Sequence, residues 1–192
     1  MKRILAWIAL GSSAVAAVAA EPVQIVEKPA ALPLALSDEF QFRKVTLFQN
    51  GAMGAADLGG VGPAGKGDKG GKPGKAGKGL NYEPMIDFET KYRNFGAISN
   101  LDLKERMGQY FTFIWRADRT ANLTLRLEYR QDKLGPFIQA REVPLGEVSG
   151  SGKTEVAITG DDYLWDGRIS SWRAVLVEDG RIVALYSSAL WN

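Results

Sequence analysis

Apolar and polar residues alternate over much of the second half of this chain, a pattern typical of β-strands with one buried face. The clearest run covers residues 123–130, where leucine and tyrosine alternate with polar side chains. Runs at 86–93, 137–145 and 154–158 predict three more strands. The run at 110–116 is apolar on both faces and predicts a central strand. Ser99 and Asp102 have the spacing of a capping box, which predicts a short helix after Ser99.

The dipeptide Asp179-Gly180 favours a type I′ turn and therefore predicts a hairpin between the last two strands. A two-residue turn at this position brings opposite charges together beside the turn and apolar residues together further along. The predicted pairs are Glu178 with Arg181, Val177 with Ile182 and Leu176 with Val183.

About seven strands separated by turns in residues 80–192 predict an all-β domain, namely an antiparallel β-sandwich of the immunoglobulin-like or jelly-roll-like kind. A small closed barrel is the alternative. The chain has no cysteine, so burial of apolar surface must stabilise the fold without disulfides. Residues 149–154 (SGSGKT) have the ending of a phosphate-binding loop, but Glu147 replaces the required earlier glycine and a strand pattern follows. We therefore interpret this segment as a hairpin loop.

The first 20 residues have the features of a secretory signal peptide, since a short basic start precedes an apolar stretch and a run of small residues. Cleavage after Ala19 or Ala20 would export a chain without a transmembrane span to the periplasm, the cell envelope or the medium. Residues 21–61 follow, and three prolines near their start predict an extended linker. Within them, residues 37–50 predict a strand, with a bulge, that docks on the later domain.

Residues 62–79 form a low-complexity segment of glycine, proline and lysine that has no apolar surface to bury, which predicts disorder. Five lysines against one aspartate give the segment a net charge of +4. In polyproline II geometry its lysines would line one edge at a spacing of about 9 Å and could contact an anionic polymer. The alternatives are a soluble spacer and a short collagen-like run, whose glycine frame Asp68 interrupts. The lysines are Lys66, Lys69, Lys72, Lys75 and Lys78.

Residues 161–167 hold the densest cluster of polar and aromatic side chains in the second half of the chain. A tryptophan ring can stack on a sugar while carboxylates accept hydrogen bonds from its hydroxyls, so we consider this cluster a candidate ligand site. The alternatives are a Ca²⁺ site, although the spacing differs from an EF-hand loop, and a purely structural turn. The candidate residues are Asp161, Asp162, Tyr163, Trp165 and Asp166.

The chain has no histidine and no cysteine, which excludes Ser-His and Cys-His nucleophile pairs and zinc sites built from those ligands. No motif indicates a catalytic residue, a cofactor, a bound metal or recognition of a specific nucleic acid. We therefore interpret the chain as an exported, non-catalytic binding or structural module, associated with the cell envelope or extracellular. Its basic tether would contact an anionic envelope polymer, and its β-domain would bind a glycan or a protein.

Two other classes of protein stay open on the sequence. A small hydrolase could use Asp161, Asp162 and Asp166 as paired carboxylates, because acid–base chemistry without histidine falls to aspartate or glutamate. A collagen-like trimeric fibre protein is the other alternative.

Overall fold

The computed structural model describes residues 23–51 and 84–191, which form one antiparallel sheet of six strands and three helices. The predicted signal peptide and the lysine-rich segment at 62–79 lie outside these residues. The strands are β1 (Gln24–Val26), β2 (Phe40–Asn50), β3 (Gly108–Gln131), β4 (Gln139–Thr159), β5 (Ile169–Glu178) and β6 (Arg181–Ser187). The helices are α1 (Pro84–Asn94), α2 (Asn100–Arg106) and α3 (Asp161–Asp166).

Strand β3 is the centre of the sheet, and it folds back on itself. Its 24 residues would span roughly 80 Å if they were straight. The strand bends at 118–120, where the register against β4 shifts between Ala117 and Ala121. Its two ends consequently meet: the backbone N–H of Ile169, which pairs with Gln131, donates to Gln109 Oε1 at 2.6 Å.

The bend allows one continuous sheet to enclose one core. The first half of β3 pairs with β2 and the second half with β5, while β4 follows β3 along both halves. Alternate residues of both halves are fully or almost fully buried in the same apolar cluster. They are Phe111, Phe113, Trp115, Leu123, Leu125 and Leu127. The prediction of a mainly β, antiparallel fold is confirmed. The number of strands and sheets differs, because the described residues form one sheet of six strands, whereas the sequence predicts about seven strands in two sheets.

The predicted strand at 86–93 is wrong, because these residues belong to helix α1. Proline is well suited to the first position of a helix, and Pro84 opens this one. Glu89 and Arg93 form an ion pair one turn apart at 2.8 Å, which further supports the helix. The alternating pattern was therefore misleading in this segment. Its apolar residues Ile86 and Phe88 are exposed instead of lying against a sheet.

Strand β4 joins two segments that the sequence predicts as separate strands. Residues 149–154, predicted as a hairpin loop, are inside β4, where Gly152 pairs with Trp115. Pro144, at the end of the predicted strand 137–145, is also inside β4 and pairs with Thr124 beside a register shift. Proline is tolerated in a strand at such irregularities because no ladder hydrogen bond is required there.

The segment before the lysine-rich stretch belongs to the sheet. Strand β2 pairs with β3 along its length, with a register shift between Phe42 and Lys44 as the predicted bulge requires. The described part of the predicted extended linker, residues 23–36, also contacts the fold, since β1 pairs with β4 and Leu34 bridges to Ile182. The predicted boundary at residue 80 therefore divides strands of one sheet.

The last hairpin and the helix cap agree with the sequence predictions. Asp179 and Gly180 both have positive φ, as a type I′ turn demands, and Glu178 pairs with Arg181. The predicted register holds for the first two pairs and then shifts by one residue. Leu176 lies opposite Ala184 instead of the predicted Val183. Helix α2 carries the complete predicted capping box between Ser99 and Asp102.

Candidate functional site

Three strand ends and all three described helices lie at one end of the sheet, which we call the helical end. Here β2 ends, β3 begins and β4 ends side by side, because Asn50 pairs with Gly108 and Gly108 pairs with Thr159. Helix α2 leads into β3, and α3 follows β4 directly. The two are joined by a hydrogen bond of 2.9 Å from the Gly160 N–H to the Met107 carbonyl.

Helix α3 holds the predicted ligand residues, and glutamine side chains fix it to the sheet. The amide Nε2 of Gln131 donates to the carbonyls of Asp162 and Gly167, at 2.8 and 2.9 Å, and so holds both ends of the helix. Gln49 Nε2 donates to the hydroxyl of Tyr163 at 3.0 Å. Tyr163 itself is buried, so one face of the short helix is anchored in the core.

The structure divides the five predicted residues into anchored and outward-facing groups. Tyr163 is buried in the core cluster, and the carboxylate of Asp162 forms an ion pair with Arg141. Trp165 is 74% exposed, and Asp161 also lies on the surface, whereas Asp166 is half-buried. The cluster therefore presents one large aromatic ring to solvent beside carboxylates, on a helix that the sheet holds in place.

Arg141 lies between helix α3 and the sheet, where it contacts both the Asp162 carboxylate and the Tyr129 hydroxyl. Burial raises the pKa of the Tyr129 hydroxyl above its usual range, and the nearby guanidinium of Arg141 acts in the opposite direction. Within the part of the chain that the structure describes, no group of three acidic side chains could hold a metal ion. Asp161, Asp162 and Asp166, the carboxylates of the Ca²⁺ alternative, therefore do not form such a group.

The five lysines predicted to contact an anionic polymer all lie outside the described residues. The structure nevertheless describes the residues that flank this part of the chain on both sides. The last described residue before these lysines is Gly51, directly after β2, and the first described residue after them is Pro84, which begins α1. The last residue of β2 is at the helical end, the same end of the sheet that carries α3.

Sequence reasoning missed the residues that position α3, namely Gln49, Gln131 and Arg141. A glutamine at a strand end gives no signal in a single sequence, because its partners are distant in the chain. The sequence prediction also missed the exposed aromatic face formed by α1 and the residue that follows it. The sequence does contain a pattern that indicates this face, since Phe88, Tyr92 and Phe95 have the spacing of one side of a helix.

Comparison with protein-family models, with curated proteins and with solved structures found no match to this chain. None of the helices in the described ranges is long and apolar enough to cross a membrane.

Proposed function

We propose that this protein is an exported, non-catalytic binding module of the cell envelope or extracellular space. Its folded-back sheet would serve as the two layers of a sandwich-type domain that presents α3 to a glycan or protein partner. The basic segment at 62–79 would add contact with an anionic envelope polymer. The observation that carries the proposal is Trp165, which is 74% exposed on a helix whose other contacts hold it rigidly to the sheet.

An exposed tryptophan on an anchored helix favours recognition for two reasons. A tryptophan ring offers a large apolar face for stacking and loses little conformational entropy on binding. Because Gln131 and Tyr163 already fix α3, a partner would meet a surface that is largely preformed. Asp161, beside it on the surface, supplies a hydrogen-bond acceptor for hydroxyl or amide groups.

No described feature favours the hydrolase alternative. Asp162, one of its three candidate carboxylates, is engaged in an ion pair with Arg141. The collagen-like alternative concerns residues outside the described ranges.

The test is co-sedimentation of a chain beginning at Glu21 with isolated cell envelopes and, separately, with insoluble cell-wall polysaccharide. We expect Trp165→Ala to weaken binding by about tenfold or more, as loss of a stacking aromatic does at many interfaces. The matched control is Leu34→Ala, which removes another exposed apolar side chain at a different place on the sheet.

A second variant addresses the basic segment without removing β2. Changing all five lysines to glutamine should weaken envelope binding most at low salt, because screening already reduces such contacts at high salt. Full retention of binding by both the Trp165 variant and the lysine variant would overturn the proposal.

A further inference from the structure

Helix α1 lies against the sheet by its polar side. Arg93 forms an ion pair with Glu155, with 3.1 Å between Nη2 and Oε2, and its guanidinium lies 4.4 Å from the ring centroid of Tyr110. At the end of the helix, Asn94 Oδ1 accepts a hydrogen bond of 2.8 Å from Asn50 Nδ2. A surface helix normally docks on a core through its apolar side, so the orientation of α1 is the reverse of the usual one.

The apolar side of α1 consequently faces away from the protein. Phe88, Tyr92 and Phe95 follow one another at helical spacing and are 69%, 65% and 84% exposed. The turn into α2 adds Ile98, which is 96% exposed, and α2 adds Leu101 at 66%. We call these five side chains the apolar tip. Single exposed apolar residues are ordinary, but a group of three aromatic and two aliphatic side chains marks a contact surface.

The backbone of the tip is already hydrogen-bonded within the protein. The carboxylate of Asp102 accepts from the amides of Ile98 and Ser99, both at 2.9 Å. Arg106 donates to the carbonyl of Phe95 in a short contact. Amides and carbonyls that leave water must find partners inside the protein. The tip therefore can enter a poorly hydrated environment at little cost to its backbone.

The charge near the tip distinguishes between possible partners. The four acidic and four basic side chains of residues 84–106 balance, so these helices alone attract no charged surface. The segment at 62–79, which ends four residues before α1, carries five lysines and one aspartate, and Glu83 is the one charged residue between it and Pro84. Lys78 precedes Pro84 by six residues, a stretch that reaches at most about 22 Å even when fully extended, so the chain itself limits how far this lysine can be from α1. Exposed apolar side chains that follow a lysine-rich segment in the chain match the chemistry of an anionic lipid surface.

We propose that the apolar tip inserts into the boundary between headgroups and acyl chains of an anionic phospholipid bilayer. The inserted side chains are Phe88, Tyr92, Phe95, Ile98 and Leu101, and electrostatic attraction brings them to the surface. This inference goes beyond the proposed function, because it assigns a different surface and a lipid partner. Either idea can fail without the other.

The first test measures sedimentation of a chain beginning at Glu21 with vesicles of phosphatidylglycerol and phosphatidylcholine in equal parts, and with vesicles of phosphatidylcholine alone. We expect binding to the anionic vesicles, and a loss of about tenfold or more in Phe95→Ser/Ile98→Ser, because each side chain buries several carbons in the lipid. The matched control is Leu36→Ser, which changes a residue that is 60% exposed next to Ser37, at the opposite end of the sheet.

The second test uses the absence of cysteine from the chain. Ile98→Cys can carry a single environment-sensitive fluorophore, and Leu36→Cys carries the same fluorophore as the control. We expect a blue shift on addition of anionic vesicles from the first position only. The fluorescence shift does not depend on the stability of the double variant, because Ile98→Cys changes one residue and leaves the other four side chains of the tip in place.

Three results would overturn the inference. One is that the unmodified chain does not bind anionic vesicles. Another is that the tip variant, Phe95→Ser/Ile98→Ser, binds them as well as the unmodified chain does. The third is a dimer in sedimentation that Phe95→Ser/Ile98→Ser dissociates while vesicle binding persists, because a second copy would then cover the tip. Binding to cell-wall polysaccharide, which the proposed function concerns, should be the same in the tip variant and the unmodified chain.

Discussion

The rings of Phe111 and Trp172 meet edge to face with their centroids 5.3 Å apart. Phe111 lies near the start of β3, whereas Trp172 pairs with Tyr129 near its end. Two positions so distant along one strand can meet only because the strand bends between them. The contact therefore forms only when the sheet folds back and encloses a single core.

Removing this contact should destabilise the whole fold. We expect Phe111→Ala to lower the free energy of unfolding by about 3–5 kcal/mol, because it leaves a cavity in a fully buried cluster. A double-mutant cycle with Phe111→Leu and Trp172→Leu should give a coupling of about 0.5–1.5 kcal/mol. Urea unfolding checks both values. Phe88→Ala is the control, since its ring is 69% exposed and the change should cost less than about 0.5 kcal/mol. A coupling of zero would mean that the two halves of the strand do not share one core.

Gly152 is needed because Trp115 lies directly over it. A Cβ at position 152 would come within 2.2 Å of Trp115 Cζ2. We expect Gly152→Ala to displace the indole, break its 2.9 Å hydrogen bond to Thr154 Oγ1 and cost about 2–4 kcal/mol. Thermal unfolding together with the near-ultraviolet circular dichroism of tryptophan measures this loss. Ser151→Ala, at an exposed neighbouring position, should be nearly neutral. Unchanged spectra in Gly152→Ala would show that the ring has another place to pack.

Stability should depend on pH through Glu178. Its hydrogen bonds to Arg119, at 2.6 and 2.7 Å, hold the pKa of the carboxyl below its ordinary value of 4.5. A lowered pKa in the folded state means that the contribution is complete above the ordinary pKa and disappears as pH falls through the folded value. The difference in unfolding free energy between the unmodified chain and Glu178→Gln should therefore be largest near neutral pH and shrink in acid.

Urea titrations at pH 7 and at acid pH test this dependence. The chain has no histidine, so no imidazole titration will obscure the result between about pH 5 and 8. Arg119→Gln should reduce the acid dependence in the same way, because it removes the partner of Glu178. A constant difference at every pH would contradict the assignment.

The turn between β5 and β6 should tolerate change at its first central position better than at its second. Gly180 has a φ of 73°, a conformation that a Cβ disfavours, so Gly180→Ala should cost about 1–2 kcal/mol. Asp179→Gly should change the unfolding free energy by less than about 1 kcal/mol, since glycine relieves strain at φ 48° but loses more entropy on folding. Chemical unfolding of both variants gives the comparison. Equal effects would indicate that the turn readjusts.

The amino-acid sequence determined the local features of this protein. Alternation in 123–130 predicted a strand, Asp179-Gly180 predicted the hairpin and Ser99 with Asp102 predicted the helix cap, because each depends on neighbours in the chain. The same local pattern was misleading at 86–93. Alternation indicates a strand only where a sheet is available to cover one face, and there the chain forms α1 instead. The cluster at 161–167 was identifiable from its composition, but its division into anchored and exposed side chains was not.

Only the tertiary structure decided how these elements combine. The bend at 118–120, which converts a long strand into the two halves of one core, depends on contacts between residues far apart in the chain. Gln131 and Arg141 could not be recognised as anchors of α3 before the fold placed them beside it. Burial and pairing across such distances are properties of packing, and packing determined that Tyr163 is buried, that Trp165 is exposed and that the apolar side of α1 faces outward.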